Sequence, residues 1–216
     1  MRYLLYISDA KIDVLLPQVP GALQQKVAAK MGFDLKLLSG SIATERTTLD
    51  SRVARLNVVE SYVLDHEPVG SPSEPLSWIQ GEVSAQFVGL GGGAILFIAA
   101  GSLWTLALGG SAHHIVGSIK PEQVQISMSF APQLAEEIRF LTEKKAHIIL
   151  GLPEDALPLT TKAQGFKAWE DLISVARYLA VSPAMNIRFL AKRLASEQNH
   201  GEQITLASPL YIELAD

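Results

Sequence analysis

The chain has 216 residues, 48% of them hydrophobic, with 18 Lys and Arg against 22 Asp and Glu and a net charge of −4. That length fits one domain, taken as 1–216, with apolar residues enough for a core. There is no basic excess to form a footprint for a nucleic-acid polymer, and the absence of cysteine removes disulfides, thiolate chemistry and Cys-ligated zinc.

The N-terminus, MRYLLYISDAK, opens on a short apolar, aromatic run, Tyr3–Ile7, read as a buried strand. The run is too short for a signal peptide and Asp9 interrupts it, so the expectation is a cytoplasmic protein. Ser8, Asp9, Lys11 and Asp13 follow at once. Two readings compete for them: a capped short helix with a solvated lysine, or the polar rim of a ligand site after a strand's carboxyl end.

Pro17 and Pro20-Gly21 break the chain. Residues 22–31 read as a helix that Gly32 caps, and Phe33–Leu38 alternates as a half-buried strand. From Thr47 to His66 the pattern is helical, with Leu49, Val53, Leu56, Val59 and Val63 at the required intervals. Glu60, Asp65 and Glu67 read as its solvated face and end. Pro68 to Pro75 is a loop, and Ser77–Val88 is a long strand.

Phe87 to Gly117 contains no Asp, Glu, Lys or Arg. It is long enough to span a membrane, but its glycine clusters and the lack of flanking basic residues argue against that. The reading is two buried strands, Ala94–Ala100 and Leu103–Leu108, turning at Gly101-Ser102. GLGGG at 89–93 lacks the helix that a dinucleotide fingerprint needs after it. Beyond the hairpin, GGSAHHIVG (Gly109 to Gly117) offers a backbone freed by Gly109 and Gly110, a hydroxyl on Ser111, and an arrangement suited to an anion-binding nest. His113 and His114 are adjacent, so their side chains diverge and at most one enters a site. With no Cys or carboxylate at metal-ligand spacing, no metal and no cofactor is expected.

Val124–Met128 reads as a strand, 132–145 as a helix, His147–Leu150 as a short buried run, and 164–181 as a helix. Residues 183–198 also read as a helix, with Met185, Phe189, Leu190 and Leu194 inward and Arg188 and Lys192 on one face. Gln203–Ala207 is a last strand, running into Ser208-Pro209-Leu210-Tyr211. The mixture predicts an α/β or α+β domain: a mixed sheet with an antiparallel hairpin segment, flanked by helices, its first and last strands central.

Three pieces together, YISDAKIDVLLPQ (Tyr6–Gln18), GGSAHHIVG and ASPLYIELA (Ala207–Ala215), resemble an uncharacterised bacterial protein family. Its pattern is a Tyr-Ile-Ser-Asp-x-Lys opening, Gly-Ser-x-x-His-x-x-Gly in the middle and a closing Ser-Pro-Leu-Tyr. The resemblance covers nearly the whole chain and singles out Ser8, Asp9, Lys11, Ser111, His114, Gly117, Ser208 and Tyr211. It implies a bacterial origin and a single unit, and it carries no reaction.

Three functions follow as expectations. The first is a binding or sensor module for a small anionic ligand of nucleotide type. Lys11, the Gly109–Ser111 amides and His114 would hold its anionic group, Ser8, Asp9 and Ser208 would line the site, and Tyr6 or Tyr211 would stack on a base. The second is a hydrolase or phosphodiesterase in the same pocket. There His114 is the acid/base, Lys11 stabilises developing negative charge, and Asp9 orients the histidine or holds a metal; a Ser111–His114–Asp9 triad can be assembled on paper, but nothing local supports it. The third is a homo-oligomeric interaction subunit joined through the apolar hairpin. Binding requires the fewest groups and is preferred.

Overall fold

A computed structural model describes residues 2–32, 49–89, 93–117, 183–199 and 201–215. The elements expected at 33–38, 124–128, 132–145, 147–150 and 164–181 lie outside these, as does most of GLGGG. Among the described residues, no helix is long and apolar enough to cross a membrane.

Strand β1 (Tyr3–Ile7) leads into α1 (Asp9–Leu15), a 3-10 turn (Leu16–Gln18), α2 (Gly21–Met31) and α3 (Leu49–His66). Then come β2 (Val69–Gly70), β3 (Trp78–Gly89), β4 (Ala94–Ala100), β5 (Trp104–Ser111), a 3-10 turn (Ala112–His114), β6 (Met185–Asn199) and β7 (Glu202–Leu214). Helix α2 ends at Gly32 with φ of 70°, the left-handed cap that glycine adopts without a Cβ penalty.

The sheet is more than the mixed sheet expected: five strands close into a barrel. β3 pairs with β4, β4 with β5, β7 with β6 and β6 again with β3, all antiparallel, while β5 pairs with β7 in parallel. Long β3 serves three neighbours: β2 in parallel at Trp78–Ile79, β6 through Trp78–Ala85 and β4 through Ala85–Gly89. This closure is the architecture of OB-type barrels, a likeness of fold that carries no function.

The core has three parts. Ile79, Phe97, Leu106, Leu108, Ile187 and Phe189 fill the barrel interior with Tyr6. Ile12, Leu16, Val27, Leu56, Val59 and Val63 pack the helices against Ile7, Trp78, Leu190 and Leu210 on the outside of the barrel. A third cluster joins Ala94, Leu96 and Ile98 to Ala107 and Leu206. Strand β4 sends Ile95, Phe97 and Ala99 to one cluster and Ala94, Leu96 and Ile98 to another. A strand buried on both faces reads as an unbroken apolar run, which is why this stretch has membrane-like hydropathy. Each such large side chain contributes about 1.5–3 kcal/mol on full burial. The hairpin's apolar residues are therefore consumed within one chain, and only Leu103 at its tip is strongly exposed, at 65%.

Three expectations are corrected. Residues 183–198 form strand β6, not a helix. Ile187, Phe189 and Ala191 enter the barrel while Leu190 faces the helices, a period of two that long-range pairing with β3 and β7 enforces. Arg188 and Lys192 share a face under either period, so their spacing did not discriminate. The first strand is not central: among the described residues β1 ends the strand path beside β7, with a single further bridge from Tyr6 to Ile115. The strands at 103–108 and 203–207 also run on, through Ser111 and Leu214, so Gly109–Ser111 and Ser208–Tyr211 lie within strands instead of after them.

Candidate functional site

Strand β7 changes neighbour along one edge. It pairs with β5 as far as Ala207, opposite Leu108, and with β1 from Tyr211, opposite Ile7. Because β5 runs parallel to β7 and β1 antiparallel, the carboxyl ends of β1 and β5 approach each other across Ser208–Leu210. Pro209 sits in this gap beside a register shift, where its missing N–H leaves no ladder bond unmade. The Ser8 N–H bridges the gap to the Leu210 carbonyl at 2.9 Å. Three polar segments far apart in sequence thus converge at one partner switch of a single strand.

Lys11 is the centre of the cluster. Its ammonium donates to Ser208 Oγ at 2.6 Å and to Ser8 Oγ at 3.4 Å, and both serines are buried. Burial pushes the Lys11 amine down to about 8, because desolvation disfavours the charged form. Ser8 occupies the N-cap position of α1 but its side chain makes no cap hydrogen bond. The solvated-lysine reading therefore does not hold.

Asp9 turns the other way. Arg52 of α3 donates to it from Nε at 2.8 Å and to the Ile7 carbonyl from an η nitrogen at 3.2 Å. His114 Nδ1 stands 3.9 Å from the second Asp9 oxygen, beyond hydrogen-bond reach, and its ring meets Tyr6 edge-on. Of the two histidines, His114 is the one that faces the Asp9 carboxylate. Burial pushes its imidazole down to about 4, against the pull of Asp9, so it is neutral at neutral pH. The Ser111 hydroxyl accepts from the His113 amide at 3.3 Å and caps the 3-10 turn.

Gly109 and Gly110 are extended and in register with Leu96 and Ile95 of β4, so no nest of amides curls around an anion. Gly110 has a different task. A Cβ there would collide with the Tyr6 phenol, which lies near the Ser8 side chain and the Ser111 backbone without a hydrogen bond of normal geometry. Tyr211 belongs to another pocket, which it lines with Gly70, Arg188 and Phe189, and Arg2 lies 4.6 Å over its ring.

Beside Lys11 a groove of ≈ 470 Å³ runs between α1, α3 and the start of β3, walled by Val14, Leu15, Tyr62, Val63, Trp78 and Leu194. Lys192 and Glu67 also line it, 3.9 Å apart. Sequence reasoning did not find this groove, whose walls come from four elements. It also missed Arg52 and Arg55. A signal for them existed: Asp9 and Asp13, four apart on α1, are matched by Arg52 and Arg55, three apart on α3, and both pairs form.

Among the described residues, no three His, Asp or Glu are grouped to hold a metal ion. A model of a family of unknown function, DUF7019, matches residues 2–216. No curated protein and no solved structure matches the chain.

Proposed function

The chain belongs to DUF7019, a family of unknown function, and from that premise we propose that it is a binding module for a small anionic ligand held by Lys11. The observation that carries this reading is an ammonium group drawn into the fold with two hydroxyls, and no carboxylate, as its partners among the described residues. Desolvation alone accounts for its lowered affinity for a proton, and among the described residues no acid forms an ion pair with it. A desolvated charge is costly unless paired, and a ligand anion arriving through the adjoining groove would supply the missing partner.

Binding is preferred to hydrolysis because the neutral His114 is poorly matched to general-acid work at neutral pH and stands 3.9 Å from Asp9, too far for the carboxylate to orient it by a hydrogen bond. The test is calorimetric titration of the whole chain with phosphate, AMP and octanoate, repeated on Lys11→Met. At least one of these anions should bind, and the variant should lose about 10- to 100-fold in affinity, the worth of a charge-assisted contact. Anion binding unchanged in a folded Lys11→Met protein, or no binding by any of the three, contradicts the reading.

A further inference from the structure

The groove beside Lys11 defines the kind of anion. We propose that the ligand is an amphipathic monocarboxylate, a medium-length acyl chain lying along the α1–α3 groove with its head group on Lys11; this rests on the binding reading above.

The walls are mainly aliphatic, and Val14 on the lip is 65% exposed, a large apolar side chain left in water with the groove beside it. The volume of ≈ 470 Å³ falls in the range of ligand pockets, about 300–1,000 Å³. A lone phosphate, the bulk of a few waters at about 30 Å³ each, would leave most of it wet. The aromatic rings of the groove are each engaged on one side, and Trp78 is 3% exposed. The Tyr62 ring stacks on His66 at 4.7 Å between centroids, and Lys192 lies 5.2 Å from the Trp78 ring centroid. Tyr6 is fully buried. A nucleobase finds no platform here, whereas a flexible chain needs none.

The charges point the same way. Lys192 has Glu67 at 3.9 Å, so that pair contributes little net charge to the groove. Lys11 is the one cation among the described lining residues without an acid. One positive charge without an acid on the wall of a largely apolar groove matches one negative charge on a chain.

The test is a homologous series, butanoate to decanoate, titrated calorimetrically against the whole chain, with octan-1-ol, inorganic phosphate and AMP alongside. Affinity should rise about fourfold per added methylene, the factor for moving one CH2 out of water, until the groove is filled. Octanoate should exceed octan-1-ol, and Lys11→Met should erase that preference while keeping the chain-length slope. Val14→Asp, at an exposed position that the fold tolerates, should flatten the slope. A flat series overturns the acyl assignment; Lys11-dependent binding of phosphate or AMP with a flat series would leave the anion reading standing alone. A slope that Val14→Asp leaves unchanged places the chain elsewhere on the protein and overturns the assignment as well.

Discussion

Two cations, Arg2 and Lys11, sit where the helical layer meets β7, and the fold treats them in opposite ways. Arg2 is surrounded by acceptors. Its Nε donates to Glu213 at 2.6 Å, one η nitrogen donates to Glu60 at 2.8 Å and to Asn57 at 2.9 Å, and the Tyr211 ring lies beneath. Burial works against the charge, yet Glu213 and Glu60 more than offset it and hold Arg2 above the ordinary arginine range. Lys11 has two serine hydroxyls, and its proton affinity falls. A charge compensated from within is a structural clamp. A charge with no acid partner among the described residues, beside a groove, is where the proposed ligand would gain most.

The largest effect should come from breaking the clamp. Glu213 is 3% exposed and takes Arg2 on one oxygen and Arg188 on the other. Glu213→Ala removes the buried acceptor that Arg2 and Arg188 share, while Glu60 and Asn57 still hold Arg2, and denaturant unfolding should show a loss of about 1.5–3 kcal/mol, the worth of hydrogen bonds to charged groups.

The matching change at Lys11 should have the opposite character. Its folded pKa lies near 8 against an ordinary 10.5, so between those values the unfolded chain binds more protons and stability rises with pH. The rise is bounded at about 3 kcal/mol, from 1.36 kcal/mol per unit. Lys11→Met should flatten this alkaline window in urea titrations run from pH 8 to 10.5, and should cost little or even stabilise at pH 7. A Lys11→Met protein as damaged as Glu213→Ala would erase the distinction between the two sites.

A smaller effect sharpens the geometry between the strands. Gly110→Ala drives a methyl into the Tyr6 phenol, with an expected cost of about 1–3 kcal/mol for overpacking. Tyr6→Phe removes the nearest of the atoms it strikes, a hydroxyl with no good partner, and leaves the ring edge in place. The double variant should therefore recover part of the loss, a coupling that a thermodynamic cycle measures directly.

Local rules read much of this fold. The cap at Gly32, the apolar spacing of α3 and the glycine-bounded hairpin all follow from residues close in sequence. Strand β6 did not, because MNIRFLAKRLASEQN satisfies a helical stripe and a strand alternation alike, and contacts with β3 and β7 decide between them. Barrel closure depends on those same distant pairings. The site was legible in pieces. Ser8, Lys11 and Ser208 stood out as polar groups beside apolar runs, and the fold brings them within hydrogen-bond reach across 197 positions of chain. Their meeting place, a partner switch along β7, has no local signature. Neither has the groove, to which α1, α3, β3 and β6 each lend a few side chains.

The most direct test of the account is to follow the Lys11 side chain by NMR across a pH titration, assigned through Lys11→Met, with and without octanoate. The account predicts a midpoint near 8 in the free protein and an upward shift when the carboxylate binds. A midpoint at the ordinary 10.5, unmoved by octanoate, would describe a solvated surface lysine and contradict the central claim.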